Sequence, residues 1–192
     1  SVYNNQTPFK LKKVNSLSLR MREDCFEIMQ PEEMNESLAW LVGYLWGDGA
    51  MSLSKYRLRW VDNNIDNLQK VQYILKNEFG LEAKIHKMND REASSLEVGS
   101  KLLWHWLLRN DIWKYHSNKL DLIPKCVRAS SKNHILSFIS GILDSDGCVS
   151  EAKMRKRHIT IATAYEEFGK HLQDVAWTVG IGLGMSHNSI GE

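Results

Sequence analysis

The chain has 192 residues, 43% of them apolar and 25% charged, an ordinary balance for a soluble globular protein, and no apolar run approaches the ~20 residues that span a bilayer. Its N-terminus (Ser1 to Phe9) lacks the apolar core of a secretory signal, its three cysteines (Cys25, Cys126 and Cys148) show no CxxC spacing, and its seven histidines form no pairs, which excludes a disulfide scaffold and a zinc knuckle and suits an intracellular setting. The net charge of +2 is unevenly spread: residues 23–36 carry six acids and no base, residues 101–134 seven bases against two acids, so a basic face with an acidic appendage is compatible with a nucleic-acid partner.

Residues 1–34 show short bursts of alternation at Phe9–Lys13 and Val14–Met21 and are read as a small strand-containing appendage. A helix is expected from about Asn35 to Gly47, with Asn35 or Ser37 as N-cap. Residues 51–60 then alternate, with Tyr56, Leu58 and Trp60 on one face and Lys55, Arg57 and Arg59 on the other, the pattern of a half-buried strand with a cationic outer face. A second helix spans about 64–79, carrying Leu68, Val71, Leu75 and Phe79, and Gly80 suits its left-handed end. Strands near 82–88 and 94–99 precede a helix around 100–109. Further on, a helix at 132–145, strands near 147–153 and 157–163, and a helix at 165–179 complete the reading.

Those elements repeat. Leu41-Val42-Gly43-Tyr44-Leu45-Trp46-Gly47-Asp48-Gly49 is echoed by Ile139-Ser140-Gly141-Ile142-Leu143-Asp144-Ser145-Asp146-Gly147, 98 residues later. With an offset of 100, Leu75, Phe79, Gly80 and Leu81 fall on Val175, Val179, Gly180 and Ile181. The chain is therefore a duplicated αββαββα unit, an α+β fold divided into an appendage (1–34), a first half (35–115) and a second half (116–192). The second unit lacks its last strand and helix, and the appendage is expected to cover that gap.

The repeated phrase carries a chemical argument. Gly43 and Gly47 share one helical face, as do Gly141 and Ser145, so two such helices can approach closely. Their ends would bring Asp48 and Asp146 together. Two carboxylates at helix C-termini repel each other and are opposed by both macrodipoles, a cost that a divalent cation relieves. Oxygen ligands with open water positions favour Mg²⁺ over zinc. A single Asp-Gly reads equally well as a helix stop and turn; two copies at one place in a repeat favour the site.

The paired phrases resemble the signature motifs of single-chain LAGLIDADG homing endonucleases, over roughly residues 36–190. That resemblance implies two halves whose sheets form a saddle on double-stranded DNA, a monomer with internal pseudo-twofold symmetry, and Mg²⁺-dependent cutting of a long target. It makes Asp48 and Asp146 the catalytic, metal-binding acids, with the carbonyls of Gly47 and Ser145 adding to the metal shell. Lys55, Arg57, Arg59, Lys84, Lys153, Arg155 and Arg157 would then be the DNA-contacting bases. The stretch Asn118–Pro124 resembles the K-x-I-P block of intein-type members. Asp121 stands at the expected lysine position and Lys119 lies two residues earlier, so Lys119 is either a catalytic lysine or a surface one. Two other readings stay open: a relative that binds nucleic acid without cutting it, such as a maturase or regulator, and a protein-interaction module that uses the glycine helices as a packing seam only.

Overall fold

The computed structural model describes residues 8–19, 27–52, 54–89, 91–112, 123–151 and 157–186. Its first half begins with α1 (Glu36–Trp46), capped by Asn35, whose side chain accepts the Leu38 N–H at 2.8 Å. Every residue of α1 from Leu38 to Trp46 is buried, so this helix has no solvent face and lies at the centre of the core. The strands β1 (Gly49–Ser52), β2 (Arg57–Asp62), β3 (Lys84–Lys87) and β4 (Ser94–Gly99) form an antiparallel sheet in the order β1-β2-β4-β3. Leu58 and Trp60 of β2 and Leu96 and Val98 of β4 point inward against α1 and α2 (Ile65–Phe79). Helix α3 (Lys101–Arg109), capped by Ser100, packs Trp106 edge-on against Phe79 of α2 at 5.0 Å.

After residues outside the description come a short α4 (Lys125–Arg128), which the periodicity did not announce, and α5 (Lys132–Asp146), capped by Ser131. The hairpin β5 (Gly147–Glu151) and β6 (Arg157–Ile161) and the helix α6 (Glu166–Thr178) follow. Among the described residues this sheet has two strands, and residues 179–186 add no further strand or helix. Among the described residues no helix is long and apolar enough to cross a membrane.

The loops repeat as the helices do. Gly80 and Gly180 both take left-handed backbone (φ 68° and 88°), ending α2 and the turn after α6. In each half a glutamine of the preceding helix ties down the chain beyond: Gln72 donates to the Ala83 carbonyl and Gln173 to the Leu183 carbonyl, both at 2.6 Å.

Two expectations change. The alternation over 51–60 is not one strand but the two arms of a hairpin. Tyr56 has a left-handed φ of 50°, which stops the extended run, and residues 54–56 form a turn. The N-terminal segment, expected against the second half, is anchored on the first. Lys12 exchanges hydrogen bonds with the side chain of Asn110, the Met29 N–H donates to the Phe79 carbonyl, and Lys101 Nζ donates to the Leu19 carbonyl. Among its described residues the strand content is a single bridge, Lys10 to Glu33, and a 3-10 turn lies at Ser16–Leu19.

Candidate nucleic-acid interface and paired-acid site

Helices α1 and α5 cross along the seam between the halves, at backbone contact. A Cβ on Gly43 would lie 2.0 Å from the Phe138 carbonyl oxygen, and one on Gly141 would lie 2.2 Å from that of Trp40. Trp40 and Phe138 are themselves 98 residues apart, so each repeat's glycine receives the other repeat's carbonyl. The two contacts are exchanged by the pseudo-twofold. At the next turn Gly47 meets Ser145, its own equivalent, with a Cβ at Gly47 falling 1.7 Å from Ser145 Oγ. A residue that touches its own counterpart lies on the axis. Small residues are needed here because the packing is backbone on backbone, as the spacing predicts.

Asp48 and Asp146 flank that axial contact. Asp48 is half-buried in the turn after α1; Asp146 is the last residue of α5 and is exposed. Asp146 reaches across the seam, its Oδ2 3.2 Å from the place of a Gly47 Cβ. Gly49 and Gly147, the residues after each acid, fold back over their own helices: a Cβ there would lie 2.6 Å and 2.2 Å from the carbonyls of Leu45 and Leu143. Both strands must start this close to the helix end, which is why an Asp-Gly pair recurs.

The surroundings of the two acids differ. On the first-half side the Tyr44 hydroxyl donates to Asp62 Oδ2 at 2.5 Å, and Asn67 Nδ2 donates to the same oxygen at 2.9 Å. The Tyr44 hydroxyl is held well above its usual pKa range, first by burial, then by the hydrogen bond to Asp62 and the charges of Asp62 and Asp48. On the other side a cleft of ≈ 220 Å³ opens beside Asp146, walled by Trp46, Gly47, Ile142, Ile161 and Phe168.

Hard oxygen donors at two converging helix ends fit a divalent cation. Among the described residues no three of His, Cys, Asp and Glu cluster as a metal cage. Two carboxylates with no third ligand grouped with them as a cage suit an ion that keeps waters and takes phosphate oxygens, as Mg²⁺ does.

Of the expected DNA contacts, Arg57 and Arg59 lie exposed on the outer face of β2, and Lys84 is exposed on β3. Glu97 of β4 stands across from both Arg59 and Lys84, and it pairs with the Arg57 guanidinium at 2.6 Å. The face is therefore cationic around one acid that sequence reading did not place there. Lys55 is exposed in the turn and not in the strand row. Only the backbone of Arg157 is described, in β6; Lys119, Lys153 and Arg155 fall outside the described residues.

The sequence matches the LAGLIDADG-like domain over residues 35–109 and 133–188, more than half of the chain. It is 30% identical over 142 residues to an A-type ATP synthase subunit of Pyrococcus abyssi (strain GE5 / Orsay), taking in 73% of this chain and 13% of that one. The chain thus spans about an eighth of the length of this curated relative. In fold it is similar to the crystal structure of I-DmoI in complex with DNA and Mn, with a TM-score of 0.56 and 16% identity over 81% of this chain and 85% of that one. I-DmoI in complex with DNA and Ca gives a TM-score of 0.52 at 16% identity over 77% and 73% of the two chains. Mesophilic variants of the homing endonuclease I-DmoI give 0.52 at 13% identity over 77% and 78%. Two repeats joined at a glycine seam, an antiparallel sheet under helices, and a sequence match across both repeats agree with one another: the chain belongs to the LAGLIDADG family.

Proposed function

We propose that this protein is a site-specific DNA endonuclease that uses a divalent cation, Mg²⁺ first among candidates, to cut both strands of a long duplex target. The observation that carries the reading is the axial contact of Gly47 with Ser145, because the residue after each is an acid, one from each repeat, beside the pseudo-twofold axis. Asp48 and Asp146, with the backbone carbonyls of Gly47 and Ser145, would hold the metal. When bound, the ion supplies a nucleophile at neutral pH and stabilises the leaving oxygen. Arg59, Lys84 and Lys55 would contact DNA phosphates or base edges, and Arg57 would join them by exchanging Glu97 for a phosphate.

The neighbours in complex with DNA and with Mn or Ca support a DNA partner and a divalent cation. The match to a small section of a much longer ATP synthase chain suits a domain carried inside a host protein, the intein-type arrangement.

Selection of cleaved sequences from a random DNA library with Mg²⁺ would identify the target. On that target, Asp48→Asn and Asp146→Asn should each abolish cleavage while leaving binding within about twofold, since neither acid is needed for phosphate contacts. Retained cutting by either variant refutes the site. Tight, salt-sensitive binding with no nicking by the unaltered protein would instead make it a DNA-binding member without nuclease activity.

A further inference from the structure

The strand register fixes which side chains stand together on the outer face of the first sheet. Arg59 of β2 lies directly across from Glu97 of β4, and Glu97 directly across from Lys84 of β3, so one row reads Arg59, Glu97, Lys84. The neighbouring row toward the β1–β2 turn holds Arg57 and Gly99, and the row on the other side holds Val61, Ser95 and His86. Arg57 reaches diagonally to Glu97 Oε1 at 2.6 Å, and both side chains keep much of their exposure (49% and 41%). Among the described outward positions of this sheet Glu97 is the one acid, and it stands among three cations.

An acid on a face that meets DNA costs affinity, because phosphate oxygens repel it. Most of the major groove repels it as well. Guanine O6 and N7, adenine N7 and thymine O4 are all acceptors, and an ionised carboxylate has no proton to give them. Only cytosine N4 and adenine N6 donate there, and adenine sets its N7 lone pair beside that amino group, so a carboxylate favours cytosine. Arginine has the opposite preference and takes guanine O6 and N7 together. A C·G pair presents both chemistries on one edge. Adjacent strands lie about 4.8 Å apart, so two outward residues directly opposed across a strand pair can reach the two bases of one pair. Arg59 and Glu97 are so opposed. The exposed ion pair with Arg57 holds Glu97 only weakly, and a phosphate that takes Arg57 releases the carboxylate to the groove.

We propose that Glu97 and Arg59 read one C·G base pair of the target, with Glu97 accepting from cytosine N4 and Arg59 donating to guanine O6 and N7. This rests on the DNA partner in the reading above. The test is selection of bound sequences from a random duplex library, which needs no cleavage, with the unaltered protein and with Glu97→Gln, Glu97→Ala and Arg59→Ala. Both residues are exposed, so the inward face of the sheet is untouched in every variant. The unaltered protein should favour C·G about five- to hundredfold at one position under the first half, the scale of one good base contact. Glutamine pairs with adenine N6 and N7, so Glu97→Gln should move the preference at that position from C to A. Glu97→Ala and Arg59→Ala should each flatten it to about twofold at the same position and leave the others as they were. A carboxylate that only balances the charge of its neighbours would change affinity evenly for all sequences. An unshifted preference in Glu97→Gln therefore overturns the proposal alone, as do changes at different positions in the Glu97 and Arg59 variants. If the unaltered protein shows no salt-sensitive binding to duplex DNA, the proposal falls together with the DNA reading.

Discussion

A methyl group at Gly43 has nowhere to go, because the obstacle is the Phe138 carbonyl oxygen, 2.0 Å from the Cβ position, and backbone cannot rotate aside. Gly43→Ala must separate α1 from α5, and it should cost about 3 kcal/mol, the upper end of ordinary overpacking. Gly180 is the internal control. It also excludes a side chain by its φ of 88°, but nothing lies within 4 Å of its Cβ position, so Gly180→Ala should cost only about 1–2 kcal/mol of backbone strain. Urea denaturation of the two variants checks the order, and equal losses would contradict a backbone-on-backbone seam. The same contrast shows which residues could be read in advance. Gly43, Gly141 and the two acids were legible because each half spells them at the same spacing. The hydrogen-bonded network of Tyr44, Asp62, Asn67 and Asp144 was not, because its partners lie 5, 18 and 77 residues apart, separations that no single periodicity links.

Among the elements, helices were read closely where a cap or a terminator marks them. Asn35 and Gly80 stand at the ends they were expected to mark, Ser100 caps α3 without having been singled out, and each makes the local hydrogen bond that its residue type permits. The β1–β2 turn was missed because Ser52-Leu53-Ser54-Lys55 contains no Gly, Pro, Asn or Asp to break the alternation. The N-terminal segment was misplaced for a similar reason: its attachments are to groups distant in sequence, the side chain of Asn110 among them. Asn110 is buried; its Oδ1 accepts the Lys12 N–H at 2.8 Å, and its Nδ2 donates to the carbonyls of Lys12 and Trp106 at 3.1 and 2.9 Å. Replacement by alanine leaves those backbone groups unpaired and should cost about 2–3 kcal/mol. The loss should be local. Limited proteolysis of Asn110→Ala should cut within residues 10–34 before the rest of the chain is digested; cleavage spread evenly over the chain would show that the segment is not held chiefly by this side chain.

Over the whole molecule the halves share a seam but not a stability. The first has a four-stranded sheet, three helices and the N-terminal segment, whereas the described second half sets two helices and a short α4 against a two-stranded sheet. Among the described residues, two of the three histidines whose pKa is lowered lie in that thinner half. His134, beside Ser130, and His171, whose Nδ1 accepts the Ile123 N–H, are each held below the usual value of 6.5, first by burial. The charge of Glu36 partly opposes the effect at His134; at His171, Arg128 adds to it and Asp174 opposes it. The third, His105 on α3, is lowered by burial and by Lys101. A histidine kept neutral by folding binds its proton more readily in the unfolded chain, so stability is full above about pH 6.5 and falls as pH drops from there through the lowered folded values. Protonation of His171 also removes the acceptor for the Ile123 N–H and so loosens the approach to α4. Acid should therefore open the second half first. Native-state hydrogen exchange at pH 7.5 and 5.5 should show protection lost in α6, β5 and β6 while β2, β4 and α2 keep theirs, and His171→Gln should flatten the pH dependence. Uniform loss across both sheets would mean that the α1–α5 seam makes the two halves a single cooperative unit despite their unequal cores.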